Sequence, residues 1–354
     1  MPGTMLEQHS ISTSASILEA LHRLNSLPSG ASMTLIAIDG AGHAAGTVTD
    51  GDLRRGLLRG LPLDAPVSET MHRTFRHISE GQPGAVEEIR AIRSLGIRLI
   101  PVTDAEGRLT DIIDTDTTPN RLPIGAILMA GGRGERLRPL TLSTPKPLLR
   151  VGDRPIIEYN IRALVRMGVS DITVTTNYLA EQIEEYFRQT RPGVRTVREP
   201  FAMGTLGSAT LCRVPQEGDT LVMNADLLTN ISLEDLYLHH RAMKADITMA
   251  AIPYNVSVPF AILSTDHDRP IVNGLREKPS YSYLANAGIY LISNRLLSRL
   301  PAGERTDAPD FIEESIASGA TVTFYPISGT WIDIGSPTDY QRACELMETI
   351  RVES

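Results

Sequence analysis

The chain of 354 residues is too long for one average domain, and it carries a formal net charge of −8 with 42% hydrophobic and 21% charged residues. This balance is ordinary for a soluble globular protein, and it lacks the basic face that coating a nucleic-acid backbone demands. Any anion must therefore be held by a local cationic site. Cys212 and Cys344 make no disulfide framework and read as buried free thiols in amphipathic, helical surroundings. No apolar run reaches the roughly 18 residues of a membrane span. The polar start lacks the charged-then-apolar pattern of a signal peptide, so a cytoplasmic protein is expected.

Near the start, Ile17, Leu18, Leu21 and Leu24 recur at helical spacing. The stretch MTLIAIDGAGHAAGTVTDGDLRRGLL (33–58) then reads strand, turn, strand, helix. Val86, Ile89 and Ile92 repeat the helical spacing, and IRLIPVTDAEGRLTDIIDTD (97–116) repeats strand, turn, strand about 65 residues later, which marks an internal duplication. Thr, Asp, Pro and Asn cluster in TDTTPNRLP (115–123), as linkers do. The expected division is 1–120 and 121–354.

The run Gly46 to Arg55 (GTVTDGDLRR) and its counterpart LIPVTDAEGRL resemble a tandem pair of cystathionine-β-synthase-type (CBS) modules. The resemblance implies an α+β pair with an adenine nucleotide between its copies, where Thr49 and Asp52 contact ribose and phosphate. The second copy departs: Asp114 stands where Thr49 stands, and Thr117 replaces Asp52. An acid there would repel a phosphate. A pair that only dimerises, or props the following domain, is the alternative.

After the linker, IGAILMAGG is an unbroken apolar run ending in glycines, the pattern of a buried strand. Pro155 to Met167 reads as a helix with Ile156, Ile157, Ile161, Leu164 and Val165 on one face. A strand DITVTTN, a helix at 179–187, a strand from Thr220 and a helix at 233–244 follow. DITMAAI, FAIL, PIVNGL and NAGIYLI read as further strands, with helices near 295–300, 309–318 and 337–352. Strands alternating with helices predict an α/β fold on a mostly parallel sheet with an antiparallel insertion. Ligands in such sheets sit beyond the carboxyl ends of the strands, where the glycine-rich loop, Thr176-Asn177 and Asn224-Ala225-Asp226 all fall.

The loop MAGGRGERLRPLTLSTPKPLL (129–149) has three rivals to explain. A dinucleotide fingerprint needs a helix to begin at the glycines, yet Pro139 interrupts, and the second strand ends in Thr-Thr-Asn without an acid. A P-loop needs Gly-Lys-Ser/Thr, which is absent. What remains is a long loop whose backbone amides reach an anion, with Arg136, Arg138 and Lys146 as its cations.

This loop, with GTLGSA (204–209), NADLLTN (224–230), EKP (277–279), NAGIY (286–290) and WIDIGSPTDY (331–340), resembles the sugar-1-phosphate nucleotidyltransferases over about 122–345. The expected fold is α/β, a Rossmann-like mixed-sheet nucleotide-diphospho-sugar transferase domain preceded by the CBS pair. A CBS pair in front resembles the guanylyltransferases that make GDP-glucosamine for legionaminic acid. The implied reaction is attack of a sugar 1-phosphate on the α-phosphorus of a nucleoside triphosphate, with pyrophosphate leaving.

The resemblance assigns roles that suit the chemistry. Arg136 and Lys146 neutralise the triphosphate, and Lys278 pairs with the sugar phosphate. Ala130, Gly131, Gly132, Gly134, Gly204 and Thr205 approach the nucleotide. Asn224, Glu277, Asn286 and Gly288 line the sugar pocket. Asp226 and Asp333 hold Mg²⁺, which takes hard oxygen ligands, one or two of them carboxylates; Ala225 replaces the usual glycine before Asp226. Trp331 is the only tryptophan, as fit for packing as for a sugar platform. Guanine offers N1–H and N2–H₂ donors that suit a carboxylate, and Glu199 stands where it could accept them. GTP and glucosamine 1-phosphate are the expected substrates in a homodimer or higher homo-oligomer. Mannose or heptose 1-phosphate, or uridylyl or thymidylyl transfer to glucose 1-phosphate, are the alternatives. A catalytically dead nucleotide sensor is the non-enzymatic one, although Arg136, Lys146, Asp226, Lys278 and Asp333 are all present. An acyltransferase tail is not expected, since the sequence shows no hexapeptide repeats.

Overall fold

The computed structural model describes residues 4–266 and 269–353. The chain forms two compact units. One comprises the chain up to Arg121 together with Arg166–Gly168; the other comprises Leu122–Val165 and the chain from Val169 onward.

In the first unit, α1 (Met5–His9) leads into β1 (Ser10–Ser12), α2 (Ile17–Asn25), β2 (Thr34–Ile38), β3 (Ala44–Thr49) and α3 (Asp50–Leu58). A second pass follows with β4 (Ile78–Ser79), α4 (Ala85–Ser94), β5 (Leu99–Thr103) and β6 (Leu109–Asp114). Each pass makes a three-stranded sheet, ordered β1-β2-β3 and β4-β5-β6, whose first pair is parallel and second antiparallel. The helical spacing of the sequence is explained by packing. Ile17, Ala20 and Leu24 of α2 sit on Leu35, Ala37 and Val48, while Ile89 and Ile92 of α4 sit on Ile100, Val102 and Ile113. Each fully buried aliphatic side chain contributes roughly 1.5–3 kcal/mol. Ile36, Leu99 and Ile112 join the two copies in a smaller cluster. After β6 the second copy turns instead of continuing into a helix like α3, and the Asp114 carboxylate pairs with Arg98 at 3.3 Å.

The second unit opens on β7 (Ile124–Ala130), the short pair β8 (Arg150–Val151) and β9 (Arg154–Pro155), then α5 (Ile156–Arg166), β10 (Ile172–Thr176), α6 (Ala180–Thr190) and β11 (Arg195–Arg198). It continues with β12 (Asp219–Asn224), β13 (Leu227–Thr229), α7 (Leu233–Ala242), β14 (Ile247–Ser257), β15 (Ile262–Thr265), β16 (Val272–Arg276) and β17 (Ser280–Ser293). The last elements are α8 (Asn294–Leu297), α9 (Ala308–Ala317), β18 (Val322–Pro326), β19 (Trp331–Asp333) and α10 (Pro337–Glu353). Seven strands form one sheet in the order β11-β10-β7-β12-β17-β14-β18, and only β17 runs against its neighbours. The central strands β7, β10 and β12 are almost wholly buried, which is why they read as apolar runs. Thr176 lies opposite Ala130 and Asn224 opposite Met129, so three parallel strands end at one rim.

Leu137 and Leu149 of the glycine-rich loop enter a buried cluster with Val151, Ile156, Leu228, Ile332, Ile334 and Ala343. Beyond the sheet, the far half of β14 and the first half of β17 form an exposed ribbon that carries the β15–β16 hairpin. Of the strands with no counterpart among the expected elements, β11 and β18 are the longest. Both are sheet edges with half-exposed, non-alternating residues. Cys212 also differs from expectation: it is extended, half-buried, and ends a 3-10 turn at Gly207–Leu211. Burial pushes its thiol up to about 12. Cys344 lies in α10 and is likewise only half-buried.

Candidate active site

The glycine-rich loop forms no α-helix. It runs through three one-turn 3-10 segments, Glu135–Leu137, Leu140–Leu142 and Lys146–Leu148, separated by its prolines. Leu137 is the anchor, 1% exposed, and the exposed Arg136 and Arg138 flank it. Gly134 adopts φ +60°, and a Cβ there would meet Thr141 Cγ2 at 2.9 Å. The Thr141 hydroxyl donates to the Gly134 carbonyl at 2.8 Å and closes the loop on itself. From outside, the Tyr178 hydroxyl donates to the Thr141 carbonyl at 2.9 Å, and the Gln182 amide donates to the Ser143 carbonyl at 2.9 Å. The loop is a fastened scaffold with charged edges.

Asp226 and Asp333 are brought together by backbone pairing. Asp226 immediately precedes β13, β13 pairs antiparallel with β19, and Leu227 lies opposite Asp333. The Ile334 N–H also donates to the Asp226 carbonyl at 3.3 Å. Between the two carboxylates stands the Lys146 ammonium. It pairs with Asp226 Oδ2 and lies 3.6 Å from Asp333 Oδ1. Lys146 is 8% exposed. Burial, and then the charge of Asp226, push the Asp333 carboxyl above its ordinary range, while Lys146 and Arg136 oppose the rise. Arg136 reaches the same place: a Cβ on Gly335 would lie 3.0 Å from its Nη2. Among the described residues no group of three or more His, Cys, Asp or Glu side chains could hold a metal, so a cation at Asp226 and Asp333 would need oxygens from a substrate. The pair fits such a cation, because a positive group already stands between its hard oxygen donors.

Glu199 approaches the other end of the loop. Ala130 ends β7 and is buried; a Cβ on Gly131 would lie 2.7 Å from Glu199 Oε1. The Glu199 carboxylate accepts the Met203 N–H at 3.3 Å, and burial raises its pKa. Gly132 faces open space. Gly204, at φ +80°, would press a Cβ to 2.5 Å from the Thr306 carbonyl oxygen. That carbonyl accepts the N–H groups of Leu206 and Gly207, both at 3.0 Å. The Thr205 N–H donates to Asp307 Oδ1 at 2.9 Å, and Ala308 N–H donates to the Thr205 hydroxyl at 2.8 Å. Thr205 therefore latches its segment to the start of α9.

On the remaining side Asn224 and Gly288 touch: a Cβ on Gly288, at φ +70°, would stand 2.5 Å from Asn224 Nδ2. The Asn286 amide donates to the Tyr290 hydroxyl at 2.7 Å and accepts the Gly288 N–H at 2.9 Å. The Trp331 indole N–H donates to the Ala287 carbonyl at 3.0 Å, which ties β19 to β17. Glu277 and Lys278 are not gathered in. Both are exposed at the end of the β15–β16 hairpin, with no side-chain hydrogen bond or ion pair among the described residues, and Lys278 holds φ +39°. In the first unit, Thr49 and Asp52 form a capping box at the start of α3, with the hydroxyl of Thr49 2.6 Å from Asp52 Oδ2 and Arg55 paired to the other oxygen.

Tyr178, Gln182, Tyr290 and Asp307 escaped the sequence reading. Tyr178, Gln182 and Asp307 act on residues far away in the chain, whereas Tyr290 meets Asn286 on its own strand β17, and only the glycines of GTLGSA and WIDIG hinted at close approach. In comparisons with known proteins, the nucleotidyl transferase family profile matches residues 125–349. A mannose-1-phosphate guanyltransferase of Schizosaccharomyces pombe is 27% identical over 61% of this chain and 62% of its own length. The mannose-1-phosphate guanylyltransferase catalytic subunit beta of Danio rerio is 27% identical over 65% of this chain and 66% of its own length. The chain thus spans slightly under two thirds of these relatives. A Bacillus anthracis crystal structure assigned as a glucose-1-phosphate thymidylyltransferase shares the fold, with a TM-score of 0.50 and 24% identity over 63% of this chain and 94% of that one.

Proposed function

The chain belongs to the nucleotidyl transferase family, and from that premise we propose that it transfers GMP from GTP to a sugar 1-phosphate and releases pyrophosphate. The observation that carries the reading is the meeting of Lys146, Arg136, Asp226 and Asp333 on the strand rim beside the glycine-rich loop. A sugar-phosphate oxygen attacks the α-phosphorus, the bond from that phosphorus to the bridging oxygen breaks, and the electron pair leaves on pyrophosphate. The nucleophile is already ionised, so no general base is needed and positioning with charge neutralisation carries the catalysis. Arg136 offsets charge on the departing pyrophosphate, and Lys146 offsets charge on the triphosphate. Asp226 and Asp333 would hold Mg²⁺, which when bound supplies Lewis-acid neutralisation of phosphate oxygens.

Glu199 supports guanine. Its carboxylate lies against Gly131 and accepts hydrogen bonds, as a base presenting N1–H and N2–H₂ requires. The relatives' names point the same way. They also favour mannose 1-phosphate, whereas the leading unit, read as a tandem CBS pair on its duplicated strand order, favours glucosamine 1-phosphate. Asn224, Asn286 and Gly288 would form the sugar wall, and Glu277 and Lys278 would join it only if the exposed ribbon moves. An adenine nucleotide at Thr49 and Asp52 would have to share oxygens that now cap α3. A matrix of GTP, UTP, dTTP, CTP and ATP against glucosamine, mannose, heptose and glucose 1-phosphates, read by pyrophosphate release, tests the reading. Preference for UTP or dTTP overturns the guanylyl assignment, and no release from any pair makes the chain a sensor without catalysis.

A further inference from the structure

We propose that Lys146 is the resident cation of the Asp226–Asp333 pair and that a divalent metal enters only as the ammonium leaves. The inference rests on the reading of these carboxylates as the metal site. A lysine ammonium is a compact, strongly hydrated charge, and burying it without a partner is costly. Lys146 is nonetheless 8% exposed, and its ammonium lies against both carboxylates, which arrive from the paired strands β13 and β19. Its backbone is fixed between Pro145 and Pro147 in a 3-10 turn, but the four-carbon stem lets the charge move. One ammonium and two carboxylates leave a net charge of −1. Counting only these three side chains, a divalent ion in the ammonium's place gives neutrality and both cations together give +1, and the neighbouring Arg136 guanidinium adds to any excess of positive charge in this partly buried place. The two occupants therefore exclude each other.

The exchange also sets an order of binding. The protein offers two carboxylates and, among the described residues, no larger ligand cluster, so a bare ion gains little by displacing the lysine. A triphosphate brings both additional oxygens for the metal and a new partner for the ammonium of Lys146, whose Cβ lies 3.2 Å from where a Cβ on Gly134 would stand. Metal and nucleotide then arrive together, and the lysine passes from the carboxylates to the phosphates.

The test measures Mn²⁺ binding to the full chain by electron paramagnetic resonance, without nucleotide. Lys146→Met is expected to bind one Mn²⁺ at least tenfold more tightly than the wild type, a gain of about 1.4 kcal/mol. Lys146→Arg, which keeps a cation, stays weak, and adding Asp226→Asn to Lys146→Met removes the gain. The idea is overturned if Lys146→Met binds no more tightly, or if the gain survives loss of Asp226. A second measurement needs no variant: saturating Mn²⁺ should raise acylation of Lys146 in the wild type, followed by peptide mass spectrometry. An unchanged labelling rate with metal bound overturns the exchange. Neither readout uses turnover, so a chain that failed every substrate pair would lose the proposed reaction and leave this result standing.

Discussion

Two neighbouring glycines should separate a structural contact from a functional one. In Gly131→Ala the new methyl group would stand 2.7 Å from Glu199 Oε1 and 3.1 Å from both its Cδ and Oε2. Glu199 is 7% exposed and cannot retreat inward, so it must turn off its rotamer and give up the Met203 N–H. The off-rotamer cost is about 0.5–1.5 kcal/mol and the lost hydrogen bond about 0.5–1.5 kcal/mol, together roughly 1–3 kcal/mol. For a unit of this size each kcal/mol lowers Tm by about 2–4 °C, so differential scanning calorimetry should show a fall of roughly 2–12 °C. Gly132→Ala adds a methyl group to open space and should hold Tm within about 2 °C. If the loop backbone cradles the triphosphate, both variants raise the KM for GTP, but only Gly131→Ala also melts early. Equal melting of the two variants, with Gly131→Ala indistinguishable from wild type, would refute the placement of Glu199 against the loop.

Glu199→Gln should trade function for stability. Burial raises the Glu199 pKa, so the folded chain binds that proton more tightly than the unfolded one and loses stability as pH rises from the ordinary glutamate range through the raised value. The difference in Tm, variant minus wild type, should widen across that window and then level off, while discrimination for GTP over ATP falls; a flat difference rejects the buried carboxylate. Asp307→Ala frees the Thr205 segment from α9, and losing hydrogen bonds to a charged acceptor should raise the GTP KM about tenfold with a smaller effect on kcat. Asp307→Asn, which keeps an acceptor oxygen, should fall between; equal change in kcat and KM would argue against a positioning role. In the first unit Thr49→Val breaks the capping box and should cost about 0.5–2 kcal/mol in urea unfolding, with no change if the box does not form in solution.

Much of the molecule was legible residue by residue. The apolar runs of β7, β10 and β12 announced strands buried on both faces, and the duplicated spacing of the first unit announced its repeated sheet. Gly131, Gly132, Gly134 and the prolines of the loop marked a backbone that would bend without becoming a helix, because glycine and proline act through their own local geometry. The edge strands β11 and β18 were not legible, since their half-exposed residues show neither alternation nor a continuous apolar run.

The partners of the charged residues were equally hidden. No spacing in the chain says that Lys146 will sit between Asp226 and Asp333, that Thr205 will spend its hydroxyl and amide on the start of α9, or that Asn286 will turn to Tyr290. The first two meetings depend on how distant elements cross and pair, and the third on the register shift of β17 around Gly288. Chemical type and local conformation belong to each residue and its immediate neighbours, so the sequence determines them by itself. Which charges meet is decided by strand order and by the pairing of β13 with β19, which only the tertiary structure supplies.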